Sequence, residues 1–174
     1  HLTDRPAWRI ESKIYPELTD GKNHRPSRNP GKYYTYEEIR DFIKYAKSKH
    51  INVIPEIDIP GHSDSFIKSM GCKMESPKGM KILENVLKEF FNEIPKDLVP
   101  IFHMGSDEVK ISNPEEFVLK MVNYIESHGR KVVAWTPGLK MPKTVTLQAW
   151  GEQKKKHDIE GYSEIDSKFS YINN

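Results

Sequence analysis

The fold is predicted most directly by residues 101–109, which read IFHMGSDEV. A short, mostly apolar run precedes Gly105 and Ser106, and the adjacent carboxylates Asp107 and Glu108 follow this Gly-Ser step. In a regular strand, neighbouring side chains point to opposite faces, so adjacent residues can serve one site only where the strand ends and the backbone turns. Glycine permits such a turn. The stretch therefore predicts a strand whose carboxyl end carries an acidic pair.

Helices and strands alternate on both sides of this stretch. Apolar residues at helical spacing, begun by capping signals at Thr35, Ser76 and Asn113, predict helices at 35–49, 76–90 and 113–128. Phe42 is placed on the apolar face of the first of them. Runs of β-branched and apolar residues predict strands at 51–58, 99–103, 131–135, 144–150 and 168–172. This order predicts an α/β fold with a parallel sheet.

The parallel sheet is predicted to be a barrel. No Gly-rich phosphate fingerprint follows any strand, which disfavours the dinucleotide-binding alternative. A full (β/α)8 TIM barrel needs roughly 250 residues, whereas this chain has 174. We therefore expect one partial catalytic domain over residues 1–174, which holds about strands 2 to 7 and is incomplete at both ends. His1–Asp4 is predicted to be the end of a strand that begins earlier.

Composition narrows the classes of partner. The formal net charge is +2, with 36% hydrophobic residues. This balance favours neither a nucleic-acid nor a membrane-surface partner, and no apolar run approaches the roughly 20 residues of a membrane span. Cys72 is the only cysteine, so no internal disulfide framework exists.

Polar and aromatic residues gather where the predicted strands end. Each of these residues, taken by itself, also has a non-functional explanation. An Asp-Glu pair is often a solvated surface feature, and a lone Trp often packs in a barrel wall. Together they fall on the face where barrel enzymes carry their active sites. These residues are Asp4, Asp58, His62, His103, Asp107, Glu108, Trp135, Trp150, Glu152, Tyr171 and Asn173.

Two chemistries are compatible with this set of residues. The first is metal-assisted hydrolysis, with Asp58, His62, His103 and Asp107 as ligands; it is weakened because the chain has no His-x-His or His-x-x-x-His pair. The second is carbohydrate chemistry, in which aromatic rings stack on sugar faces and a protonated carboxylic acid serves the glycosidic oxygen.

Three motifs resemble the catalytic domain of family 20 glycoside hydrolases, the β-N-acetylhexosaminidases. They are HLTD with WRIE at 1–4 and 8–11, PEIDIPGH at 55–62, and HMGSDEV at 103–109. The resemblance implies a retaining exo-glycosidase that removes terminal β-linked N-acetylglucosamine or N-acetylgalactosamine from glycans. It implies no cofactor and no metal, and a periplasmic, secreted or lysosomal setting. It says nothing of the oligomeric state.

The resemblance also implies a role for each site residue. Glu108 would be the general acid and base, and Asp107 would hold the acetamido group of the substrate, whose oxygen is the nucleophile. The residues implied to surround these two are the pocket walls Trp135 and Trp150, the acetamido ligand Tyr171, the acid-supporting pair Asp4 and His62, and the supporting residues Asp58 and His103.

Two departures from the family pattern motivate an alternative. Asn173 stands where many members have a sugar-binding Asp, and the family's substrate-binding Arg would precede His1. Ser106, where the family usually has Gly, is a mild change. A barrel that binds amino sugars without cleaving them is therefore the second hypothesis, and a metal-dependent hydrolase on the same fold is the third.

Overall fold

The computed structural model of the protein describes residues 1–151 and 159–168. The strands in this part are β1 (Thr3–Asp4), β2 (Ala7–Trp8), β3 (Ile101–His103), β4 (Lys131–Thr136), β5 (Thr146–Ala149) and β6 (Glu164–Asp166). The α-helices are α1 (Tyr36–Ser48), α2 (Asp64–Met70), α3 (Pro77–Glu93) and α4 (Pro114–Ser127). The predicted strand at 168–172 lies outside the described residues except for Lys168, and β6 precedes it.

Strands β3 to β6 form one parallel sheet in the order β3-β4-β5-β6. The register aligns Phe102 with Val132 and Ala134 with Leu147. Helix α4 connects β3 to β4, which is the right kind of crossover for parallel neighbours. Spatial order follows chain order, as in the wall of a (β/α)8 barrel. The predicted partial TIM barrel is thereby confirmed.

The segment 55–59 extends this sheet beyond β3. The His103 N–H donates to the Pro55 carbonyl at 3.0 Å, and the Ile57 N–H donates to the His103 carbonyl at 3.2 Å. On its other side, the Leu2 N–H donates to the Glu56 carbonyl at 2.8 Å, which brings β1 to the same wall. The polar residues that follow these segments therefore come together at one edge.

The prediction of a regular strand over 51–58 is wrong. The one β-bridge of the segment, between Glu56 and His103, lies near its end, and Ile51 is 58% exposed. Pro55 has no N–H to donate, so the pairing with β3 does not continue from it towards residue 51.

The three long helices are confirmed, with differences in detail. Thr35 and Glu38 form the predicted capping box, in which the Glu38 N–H donates to Thr35 Oγ1 at 3.1 Å and the Thr35 N–H donates to Glu38 Oε2 at 2.8 Å. Asn113 has φ −124° and ψ 68°, and in the part of the chain that the structure describes its side chain caps nothing. Phe42 is 57% exposed instead of buried. The short helix α2 was not predicted.

An aromatic cluster anchors β3 to helix α3. The ring of Phe102 lies 5.5 Å from Phe90 and 5.2 Å from Phe91, and all three side chains are buried. Burying a side chain of this size contributes about 1.5 to 3 kcal/mol. The cluster therefore fixes the strand that leads into residues 104–109.

Among the described residues, no helix combines the length and the apolar character that a membrane crossing requires.

Candidate active site

The backbone turns sharply after β3, as the Gly-Ser step predicted. Gly105, Ser106 and Glu108 have φ values of 68°, 76° and 47°, and each non-glycine residue in this region costs about 1 to 3 kcal/mol. Hydrogen bonds offset that cost: the Ser106 N–H donates to Asp58 Oδ1 at 2.9 Å, and its hydroxyl donates to the Ile59 carbonyl at 2.6 Å. The turn is therefore held by the neighbouring segment.

Gly105 is required at this turn for two reasons. Its φ is +68°, and a Cβ added to it would lie 2.1 Å from Asp58 Oδ1. Gly71 has nearly the same φ, +65°, but a Cβ added there would meet nothing within 4 Å. The two glycines thus separate the cost of backbone conformation from the cost of the clash.

We expect Gly105→Ala to destabilise the protein more than Gly71→Ala does. The backbone term costs about 1 to 2 kcal/mol in both variants, and the overpacking at Asp58 adds about 1 to 3 kcal/mol in the first. Urea unfolding of both variants measures the difference. Equal losses would show that Asp58 moves aside without cost.

An imidazole links two carboxylates at the turn. His62 Nδ1 lies 2.6 Å from Asp58 Oδ2, and His62 Nε2 lies 3.2 Å from Glu108 Oε2. The contact with Asp58 is the largest of the effects that raise the pKa of His62 to about 9. At neutral pH the ring is therefore an imidazolium, with one nitrogen against each carboxylate and a hydrogen bond from Nε2 to Glu108.

Two further charged residues lie beside the group formed by Asp58, His62 and Glu108. Arg5 sits at the tip of the β1–β2 hairpin, with Nη2 3.5 Å from Glu108 Oε2. Asp4 Oδ1 lies 3.9 Å from His62 Nδ1 and is largely exposed. Both contacts are solvent-exposed, so each adds little to stability.

We expect Asp58→Asn to move the pKa of His62 from about 9 towards its ordinary value of 6.5. Because the folded-state pKa of His62 is raised, its stabilisation is complete below pH 6.5 and is lost as the pH rises through 9. The stability of the variant should lose this pH dependence. NMR titration of the His62 ring measures the pKa, and unfolding between pH 6 and 10 measures the stability. Steady-state kinetics should show a smaller loss of activity than in Asp107→Asn.

Asp64→Asn is the matched control, because Asp64 lies two residues from His62 and pairs with Arg25 at 3.3 Å. A similar drop in the pKa of His62 in both variants would contradict the assignment to Asp58.

The two adjacent carboxylates lie in different surroundings. The Glu108 side chain is 49% exposed, whereas Asp107 is 9% exposed and its Oδ1 has no hydrogen-bond partner among the described residues. Burial, and after it the charge of Asp58, raises the pKa of Asp107 to about 6, while His62 acts in the opposite direction. Asp107 is thus a poorly solvated carboxylate.

A cleft of about 330 Å³ opens between these groups. The structure brings six of the predicted site residues to its walls: Asp4, His62, Asp107, Glu108, Trp135 and Trp150. Asp58 and His103 lie behind the walls, 2% and 3% exposed. Glu152, Tyr171 and Asn173 lie outside the described residues, so their predicted places and roles stay predictions.

His103 lies beneath the turn. Its Nδ1 accepts the Gly105 N–H at 3.0 Å, and burial lowers its pKa to about 4. The neutral ring therefore supports the backbone of the acidic turn instead of carrying charge into the cleft.

Three of the four predicted metal ligands lie together. Asp58, His62 and Asp107 have ligand atoms within 4.8 Å of one another, whereas His103 is outside this group as far as the described residues show. His62 binds a metal only as the neutral imidazole, so an ion at this place would have to displace the proton that Asp58 stabilises.

The family comparison agrees with this geometry. The model of the glycosyl hydrolase family 20 catalytic domain matches residues 1–116. The chain belongs to this family. Among curated family 20 relatives, beta-hexosaminidase subunit A2 of Dictyostelium discoideum is 31% identical, over 99% of this chain and 38% of its own length.

Solved family 20 structures share the fold. The β-N-acetylhexosaminidase of Bacteroides fragilis superposes with a TM-score of 0.74 at 25% identity, over 95% of this chain and 42% of its own. A Streptomyces plicatus β-hexosaminidase variant in complex with its product GlcNAc gives a TM-score of 0.73 at 25% identity, over 91% and 37%. The chain therefore spans less than half the length of these family members.

Three residues of the cleft wall were not among the predicted site residues. They are His1, Thr3 and Glu56. Side chains alternate between the two sides of an extended segment, so residues 56 and 58 lie on the same side. Glu56 could therefore have been predicted as a site residue once Asp58 was. His1 could not have been predicted in this way.

Proposed function

We propose that the full-length protein is a retaining exo-β-N-acetylhexosaminidase that works by substrate-assisted catalysis. The observation that carries this proposal is the contrast between the two carboxylates. Glu108 is open to the cleft and touches the His62 imidazolium, whereas Asp107 is buried and has an unpartnered oxygen among the described residues. Such a pair suits two different tasks on one sugar, and the product complex of the Streptomyces relative supports the choice of sugar.

Glu108 in its acid form would protonate the glycosidic oxygen as the bond to C1 breaks. The acetamido oxygen of the same sugar would attack C1 from the opposite face and close an oxazolinium ring. The leaving group departs as an alcohol, and Glu108 is left as a carboxylate. Water, deprotonated by Glu108, would then open the ring at C1 and restore both the acetamido group and the acid.

Asp107 would accept the acetamido N–H and stabilise the positive charge that develops on the ring. A fixed anion in a poorly solvated site stabilises such charge more strongly than water does. Trp135 and Trp150 would enclose the acetamido group, and Tyr171 is predicted to donate to its oxygen. The imidazolium of His62 would keep the Glu108 side chain in place during both proton transfers.

The proposal is tested on the full-length gene product with two aryl glycosides. We expect turnover of the N-acetyl-β-glucosaminide and none of the β-glucoside, which lacks the acetamido nucleophile. Binding of N-acetylglucosamine without turnover of either would establish the non-hydrolytic alternative. Loss of activity on treatment with a strong chelator would point instead to a metal hydrolase.

A further inference from the structure

Glu56 is a buried carboxylate that the proposed reaction does not use. It is 5% exposed and lies in the segment next to β3, behind the turn that carries the acidic pair. Its Oε1 accepts the Trp135 indole N–H at 2.7 Å, and its Oε2 contacts His1 Nδ1. Burying a carboxylate costs desolvation free energy unless hydrogen bonds and opposite charges offset it.

The contacts of Glu56 keep it charged. Burial acts to raise its pKa, but the contact with His1, the largest of the lowering effects, and the smaller ones from His103 and Trp135 outweigh burial and leave the pKa lowered. The contact between Glu56 and His1 also raises the pKa of His1. His103 lies 3.7 Å away, and its burial keeps the ring neutral. Glu56 is thus an anion with one charged partner and one indole partner.

Trp135 has two histidine rings as neighbours and a hydrogen bond at its edge. Its ring stacks on His1 with 6.0 Å between centroids and makes a tilted contact with His103 at 4.5 Å. The indole N–H is the one polar atom of the side chain, and Glu56 accepts its hydrogen bond. The two rings limit the tilt of the indole, while the hydrogen bond sets which edge points into the cleft.

We propose that Glu56 is a positioning residue that fixes the Trp135 ring and thereby sets how large an N-acyl group the site accepts. The inference rests on the proposed function, because it takes Trp135 as a wall of the acetamido pocket. A ring free to rotate would admit longer acyl chains. A ring tied to a buried carboxylate keeps the pocket closed to them.

The position of the ring is tested without activity. In the full-length gene product labelled with ¹⁵N-tryptophan, we expect hydrogen exchange of the Trp135 indole N–H to accelerate at least about tenfold in Glu56→Ala, since a hydrogen bond to a charged acceptor is lost. Glu56→Gln should keep the protection, because its amide oxygen can accept the same bond. Equal exchange in wild type and Glu56→Ala would overturn the proposal.

The functional readout is the ratio of kcat/KM for N-acetyl over N-propanoyl aryl glucosaminides, which differ by one methylene. One methylene in a tight pocket changes rates by about 10- to 200-fold, so we expect Glu56→Ala to lower this ratio about tenfold and Glu56→Gln to keep it. Glu89→Ala is the control. Glu89 is also buried, 9% exposed, but accepts from Ser12 and Lys13 away from the cleft.

Each outcome decides one question. An unchanged ratio in folded Glu56→Ala, or an equal fall in Glu89→Ala, would overturn the proposal. Should Glu56→Ala not fold, Glu56→Asp carries the same test, because it keeps the buried charge but draws the carboxylate away from the indole N–H, which now lies 2.7 Å from Glu56 Oε1. A protein that hydrolyses neither substrate but shows the expected exchange pattern would refute the proposed function and leave the positioning of Trp135 established.

Discussion

The Glu108→Gln variant of the full-length protein is expected to lose about 10²- to 10⁴-fold in kcat/KM, the range that general acid–base catalysis contributes. The loss should be large for an alkyl or sugar leaving group and much smaller for 2,4-dinitrophenyl, which departs without a proton. Glutamine keeps the size of the side chain, and its amide oxygen can still accept from His62 Nε2, now 3.2 Å from Glu108 Oε2. Steady-state kinetics with both leaving groups measures the effect.

Stability should be unchanged in this variant, because the Glu108 side chain is half exposed. Glu115→Gln is the matched control: it makes the same chemical change at an exposed position in the first turn of α4. Equal rates for wild type and Glu108→Gln would remove Glu108 from the chemistry and the proposed function with it.

Asp107→Asn is expected to lose about 10²- to 10³-fold in kcat, as for the loss of one fixed electrostatic stabiliser. The loss should be the same for good and poor leaving groups, because both reactions pass through the charged oxazolinium ring. This independence from the leaving group separates the role of Asp107 from that of Glu108, and the same two substrates measure it.

The pH dependence of Asp107 gives a second signature. The pKa of Asp107 is raised to about 6 in the folded protein from 3.8, so wild-type activity should fall as the pH falls through about 6. A carboxyl group whose folded-state pKa is raised is destabilising when ionised, so Asp107→Asn should melt higher than wild type at neutral pH. A variant that is both inactive and less stable would indicate misfolding instead.

The long helices and most strands could be predicted from local sequence patterns. Helix α1 is predicted by Thr35 and Glu38, and β3 and β4 by short β-branched runs. The errors have local causes as well. Pro55 interrupts the predicted strand at 51–58, and α2 was missed because it has seven residues and its N-cap Ser63 makes no side-chain bond among the described residues.

The candidate site was predictable only in part. Sequence motifs name Asp107 and Glu108, and Gly105 predicts the turn before them, but their different surroundings depend also on the positive φ values of Ser106 and Glu108, which the sequence does not predict. The bond between Glu56 and Trp135 joins residues 79 apart in the chain. Such a pair is visible only after the sheet has set the two segments side by side.

The close approach of Gly105 to Asp58 constrains how this turn can change in evolution. A side chain at position 105 collides with the carboxylate at position 58, so substitutions at the two positions are epistatic, and their order matters. Shortening residue 58 first clears the space, but it also removes the anion that holds His62 protonated. A residue larger than glycine can therefore appear at position 105 only after a substitution at position 58 has already lowered the pKa of His62.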